Sequence, residues 1–272
     1  MKHCIVLAGV LLLACAGETC AEQRDAEFLA SARTATEKYQ DQSAAILDGY
    51  RPIGSDFPGM GVHWVRIGIL FDGKIEAEHP EFLTYISIEG TPRLAGIAYA
   101  MPLLPEEQPP DFPAGREAWH DHLRSIDEET IVPHHQHPGT ADDKPRLAML
   151  HAWIWMPNPD GIYAADNWTL PFVRLGLNPD AGASRAQALA LTLTSDGIDY
   201  FSMIVDAGSS LSKKQRTKID QAFESARKGV LGCIHKQDLA SLDEVWDQLW
   251  NTIRSVVGSR RYVELQGLLP AW

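Results

Sequence analysis

Between Leu147 and Trp168 the chain reads LAMLHAWIWMPNPDGIYAADNW. At a period of two, His151, Trp153 and Trp155 fall on one side, and Leu150, Ala152, Ile154 and Met156 on the other. That alternation predicts a strand with two distinct faces and sets one histidine in an aromatic row. Pro157 stops the strand. Asn158-Pro159-Asp160-Gly161 then has turn chemistry: proline presets φ, aspartate bonds its own backbone, and glycine accepts positive φ.

Three further stretches read as strands. Val62 to Leu70 would be a strand with His63, Val65, Ile67 and Ile69 on one face, Phe82 to Ile88 a second and Leu94 to Met101 a third. Turn residues separate them closely, which predicts an antiparallel meander. Arg24 to Asp48, rich in Ala, Glu and Gln and free of Pro and Gly, predicts a preceding helix. Asp56, Pro58 and Gly59 then read as a loop. Pro102 to Pro113 is an extended, acidic, proline-rich segment, and His120-Asp121-His122 sits on a short helix or an extended arm. Ser184 to Thr194 is rich in Ala and Leu, and Ile198 to Val205 is apolar enough for helix or strand. Ser212 heads an amphipathic helix to Val230, while Ser241-Leu242-Asp243-Glu244 has the spacing of a capping box for another. The expectation is an α+β fold: a mainly antiparallel sheet with an N-terminal helix and C-terminal helices packed on it. Residues 22–272 form one domain, with 62–172 strand-rich and 184–272 helical.

Lys2 and His3 precede an apolar run, Ile5 to Ala14, that is too short to span a bilayer and has the layout of a secretory signal. Cleavage after Ala21 would release a periplasmic protein. Leu12-Leu13-Ala14-Cys15 instead resembles a lipobox, with membrane attachment through lipidated Cys15 and an outer membrane location. Three of the four cysteines lie in the first twenty residues, so cleavage after Ala21 leaves Cys233, read as a buried small hydrophobe. A mature chain starting at Cys15 would let Cys20 pair with Cys233. The net charge of -12 argues against a nucleic-acid surface.

With thiolates scarce, the histidines carry the chemistry. His120 and His122 can both reach one ion if their segment is extended. With His151, and with His63 as a fourth candidate, they would bind zinc, copper or iron and leave a position open for water or dioxygen. His79, Glu78, Glu81 and Tyr99 are candidate outer partners or alternative ligands. The cluster His134, His135 and His137 lies in a Pro/Gly/Asp loop and reads as a solvated turn. The alternative function is a metal-free binding or structural protein with an aromatic pocket; behind it stands a hydrolase using His79 with Glu78 or Glu81. No G-x-S-x-G, Walker loop, G-x-G-x-x-G, H-E-x-x-H or C-x-x-C occurs, so no nucleotide cofactor is expected. Asn167-Trp168-Thr169 fits a glycosylation sequon that a bacterial type of signal makes incidental.

Gly49-Tyr50-x-Pro52, Gly59-Met60-Gly61-x-His63, Glu78-His79-Pro80-Glu81-x-Leu83-x-Tyr85, Leu94-x-Gly96-x-x-Tyr99-x-x-Pro102 and Leu150-His151-x-Trp153-x-Trp155-x-x-Asn158-Pro159-x-Gly161 together resemble a family of uncharacterised exported bacterial proteins. The likeness covers about Tyr39 to Asn167. It implies no activity; it suggests that His63, His79 and His151 belong to one module.

Overall fold

The computed structural model describes residues 11–122, 145–179, 182–194, 201–202, 204–205, 211–267 and 269. They form an α+β protein. An N-terminal helix, α1 (Leu11–Thr36), leads through a 3-10 turn (Glu37–Gln40) and α2 (Gln42–Leu47) into β1 (Arg51–Phe57) and β2 (Gly61–Val65). A short α3 (Ile67–Leu70) precedes β3 (Phe82–Ile88), β4 (Thr91–Leu103), β5 (His120–His122) and β6 (Arg146–Ala152). Helices α4 (Leu170–Arg174), α5 (Arg185–Thr192), α6 (Lys213–Lys236), α7 (Leu242–Val257) and α8 (Ser259–Gln266) follow.

The strands make one six-stranded sheet in the order β1-β2-β3-β4-β6-β5, with every neighbouring pair antiparallel. The meander expected from the sequence is β2-β3-β4. One sheet face packs on α1 and the turn after it, through Phe28, Ala32, Tyr39, Tyr50, Leu83, Tyr85, Ile97, Tyr99 and Leu150. Val65, Phe82, Ala98, Ala100 and Met149 line the opposite face, with Leu70 of α3 packed on it. A second core holds the C-terminal helices together and reaches the first hairpin of the sheet through Phe57 and Met60, which cluster with Phe172 of α4.

Several boundaries differ from the sequence expectation, each for a tertiary reason. Loop residues around Asp56 are in fact β1, an edge strand whose bulge between Ile53 and Phe57 hides any alternation. Pro52 is tolerated there because an edge N–H needs no partner. The strand expected over 62–70 ends at Val65, the partner of Phe82. Pro80, just before β3, cannot donate to a ladder, and the chain turns into α3 instead. The helix expected over 24–48 breaks near Asp41, whose carboxylate accepts the Ser43 N–H at 2.9 Å to start α2. The Tyr85 hydroxyl donates to the Tyr39 carbonyl at 2.6 Å, which takes that acceptor from any continuing helix. Residues 201–202 and 204–205, in the stretch read as helix or strand, are helical.

At the opposite end of the chain, Ser212 caps α6 with a complete capping box through Gln215. Ser241 does not: its hydroxyl donates to Asp238 at 2.7 Å, and α7 has no side-chain cap.

Candidate functional site

The histidines acquire a common face from strand register. His63 lies opposite Thr84, Thr84 opposite Gly96, and Phe82 opposite Ala98, which in turn faces His151. His120 pairs with Met149, two residues before His151, and His122 pairs with Leu147. Directly opposed residues share a face and alternate residues return to it, so β2, β5 and β6 present all four positions on one side. His63, His120 and His151 are buried there. The side chain of His122 lies outside the described residues.

His63 and His151 meet although β3 and β4 separate their strands. Their ring centroids are 5.4 Å apart at 31°, and their Nε2 atoms face each other at 3.3 Å. The Nδ1 of His151 contacts the carbonyl oxygen of Ala165. A carbonyl only accepts, so Nδ1 carries the proton and a neutral His151 presents a bare Nε2 lone pair toward His63. His120 adds a third ring, edge-on to His151 with centroids 5.0 Å apart. Phe82 and Trp153 wall the pair, 6.1 Å from His63 and 5.7 Å from His151 respectively.

The segment after β6 holds this arrangement from outside. The strand expected to reach Met156 ends at Ala152, because the Trp153 N–H turns to the Ile162 carbonyl at 2.8 Å. Trp153 Nε1 donates to Ala164 at 2.7 Å, beside the carbonyl that holds His151. The Asn158–Gly161 turn forms: Gly161 N–H bonds Asn158 O at 3.1 Å, and Gly161 has φ +112°. Asn158 Nδ2 and Asn167 Nδ2 then tie the loop to itself through Asp166 O and Pro157 O, at 2.7 and 3.0 Å. Asn167 is fully buried, which closes that sequon to modification in the folded chain. The aromatic row does not survive the end of the strand. Trp155 crosses to the helix side, where its Nε1 donates to Thr36 at 3.2 Å and Arg33 covers its ring.

The expected outer partners are elsewhere. Tyr99 neighbours Ala98 on β4 and so points to the helix side, donating to the Ala77 carbonyl at 3.0 Å; burial pushes its pKa up. Glu81 is buried toward Tyr50 and Tyr99 and accepts the Ala100 N–H at 3.0 Å. β3 starts only at Phe82, so this carboxyl substitutes for the ladder partner that Ala100 lacks. His79 is exposed with Nδ1 3.1 Å from Glu76, and Glu78 receives the Ser31 hydroxyl. That arrangement gives the hydrolase alternative no His79 pairing with Glu78 or Glu81. His134, His135 and His137 lie outside the described residues, as do the side chains of Cys15 and Cys20. Cys233 is buried and burial pushes its thiol pKa up, the behaviour of a small core residue.

Sequence parity grouped the histidines but missed what surrounds them: Phe82 as a wall, the Ala165 carbonyl as an acceptor, and the small residues Gly96 and Ala98 between the strands. The sequence carried one weak hint, the run of small residues Ala95, Gly96, Ala98 and Ala100 in β4, which does not by itself single out a position. Among the described residues, no group of three or more His, Cys, Asp or Glu is arranged to hold an ion, and no helix is long and apolar enough to cross a membrane. The molecule is thus defined as an α+β protein with a buried imidazole pair across one antiparallel sheet. Comparison with protein-family models, curated proteins and solved structures gives no match.

Proposed function

We propose that this protein binds a transition metal ion, zinc, copper or iron, between His63 and His151, with His120 or His122 completing the ligand set. The observation that carries the reading is the 3.3 Å between the two Nε2 atoms, combined with the carbonyl that holds His151 Nδ1. Two nitrogens each about 2.0–2.1 Å from a tetrahedral ion stand about 3.3–3.4 Å apart. Ligating histidines characteristically donate their other N–H to a carbonyl or carboxylate, which fixes tautomer and ring plane. A third imidazole would leave one position open, where the ion could activate water or dioxygen. The reading includes export, as a periplasmic protein or one anchored through lipidated Cys15.

A metal-free protein is the second reading, and the same distance favours it. At 3.3 Å, a His63 Nε2–H could donate to His151 Nε2 as a buried hydrogen bond. Elemental analysis of protein purified without a metal-affinity tag separates the two. Stoichiometric metal that disappears in His63→Ala and His151→Ala supports the first; a wild-type chain free of metal, before and after incubation with zinc, copper(I) or iron(II), rejects it.

A further inference from the structure

We infer that Ala98, with Gly96 beside it, is a positioning residue of this site: its small side chain leaves the trough across which His63 and His151 reach each other. The inference rests on the metal-binding reading and goes beyond it by assigning a role to residues that touch no ion.

The two histidines are three strand spacings apart, since β3 and β4 lie between β2 and β6. At about 4.8 Å per spacing, their backbones are separated by about 14 Å across the sheet. An imidazole Nε2 lies only about 4.5 Å from its own Cα, so two rings and the 3.3 Å between them span about 12 Å, and the sheet must curve toward this face for the pair to meet. To bring the two Nε2 atoms within 3.3 Å, both side chains must extend toward each other low over the intervening strands.

What lies beneath them decides whether they can. On this face β3 contributes Thr84 and Phe82, and β4 contributes Gly96 and Ala98. Ala98 is the direct cross-strand partner of His151 and is completely buried. Opposed side chains have Cβ atoms about 4.5–5.5 Å apart, so any branch added at Ala98 occupies the path that the His151 ring takes toward β2. Gly96 has the companion role. A Cβ there would come within 3.0 Å of the Ala152 carbonyl and 3.1 Å of the Trp153 ring, so Trp153 can lie against the backbone only because position 96 is glycine. Pushing Trp153 outward would disturb the Ala164 and Ala165 contacts that fix the imidazole.

Ala98→Val and Ala98→Leu are the graded tests, with Ala98→Gly as the conservative control and Gly96→Ala as an independent variant. Equilibrium dialysis against zinc gives the affinity, and the visible absorption of cobalt(II)-substituted protein reports the ligand geometry. Circular dichroism and urea unfolding of the metal-free forms check the fold. Expected are wild-type affinity and spectrum for Ala98→Gly, and at least a tenfold loss for Ala98→Val and Gly96→Ala with a changed cobalt spectrum and a retained fold. Ala98→Leu should lose more. If Ala98→Leu does not fold, Ala98→Val and Gly96→Ala decide. Wild-type binding matched within twofold, with an unchanged spectrum, by Ala98→Val and Gly96→Ala overturns this inference alone. A wild-type chain that takes up no ion overturns the proposed function, and this inference with it.

Discussion

Glu81 is a carboxyl group almost wholly removed from water, and its chemistry follows from that. Burial pushes its pKa up to about 8, a shift only partly offset by the Ala100 N–H and its own backbone N–H. The folded state therefore keeps a proton that the unfolded chain, with an ordinary glutamate pKa of about 4.3, has already lost at neutral pH. A raised folded pKa contributes stability that is complete below the unfolded value and disappears as pH rises through the folded one. Wild-type stability should fall between about pH 4.5 and pH 8 from this group, by a few kcal/mol. Glu81→Gln keeps an acceptor for Ala100 and removes the titration. Urea midpoints measured at pH 5 and pH 8.5 should converge in that variant; an unchanged difference between the two pH values would contradict the assignment.

At the scale of elements, the two serine helix starts give an opposed pair of expectations. Ser212 accepts the Gln215 N–H at 3.3 Å, whereas the Ser241 hydroxyl is directed to Asp238. Ser212→Ala should cost about 1 kcal/mol and Ser241→Ala much less, by denaturant unfolding. Equal losses would show that the two hydroxyls do equivalent work. The contrast also marks how far sequence reading reaches. A capping box is a local pattern, yet a competing acceptor three residues upstream of Ser241 is enough to cancel it. Strand identity was legible at 82–88 as a short run between turn residues and at 150–152 as the start of an alternating run. Strand ends were not, because the ends of β2 and β6 are set by where β3 begins and where β4 stops pairing. The site divides in the same way: the sequence offered His63, His120, His122 and His151 as one ligand set, while their common face comes from strand register and the meeting of His63 with His151 from the geometry of the intervening strands. Trp155 was misplaced for the converse reason, since alternation stops when the ladder does.

Considered whole, the molecule has a sheet-and-helix layer and a helical part joined to it along a seam at α4, whose Leu170 and Val173 pack on Ile86, Ile88, Ala95 and Trp153. Phe57 and Met60 from the start of the sheet meet Phe172 of α4 inside the helical core. Beside them Arg174 makes two bonds to Asp56, at 2.6 and 2.5 Å, in partly buried surroundings. Phe172 is fully buried, so Phe172→Ala removes a ring from the junction and should cost about 3–5 kcal/mol. Intrinsic tryptophan fluorescence and far-ultraviolet circular dichroism should still report one transition, displaced to lower urea. Two separated transitions would mean that the seam, and little else, couples the units. The same seam bears on the imidazole site, because α4 follows directly from the segment whose Ala164 and Ala165 carbonyls face Trp153 and His151.

The imidazole pair joins residues 88 positions apart in the chain and spans strands that do not touch. Neither a hairpin nor any partial sheet lacking β6 contains both halves. An ion seated between them would therefore have nothing to grip until both β2 and β6 were in the sheet. If β6 docks after the transition state, such an ion would leave the refolding limb of a chevron plot where it was and lower the unfolding limb, lengthening the lifetime of the native state rather than speeding folding.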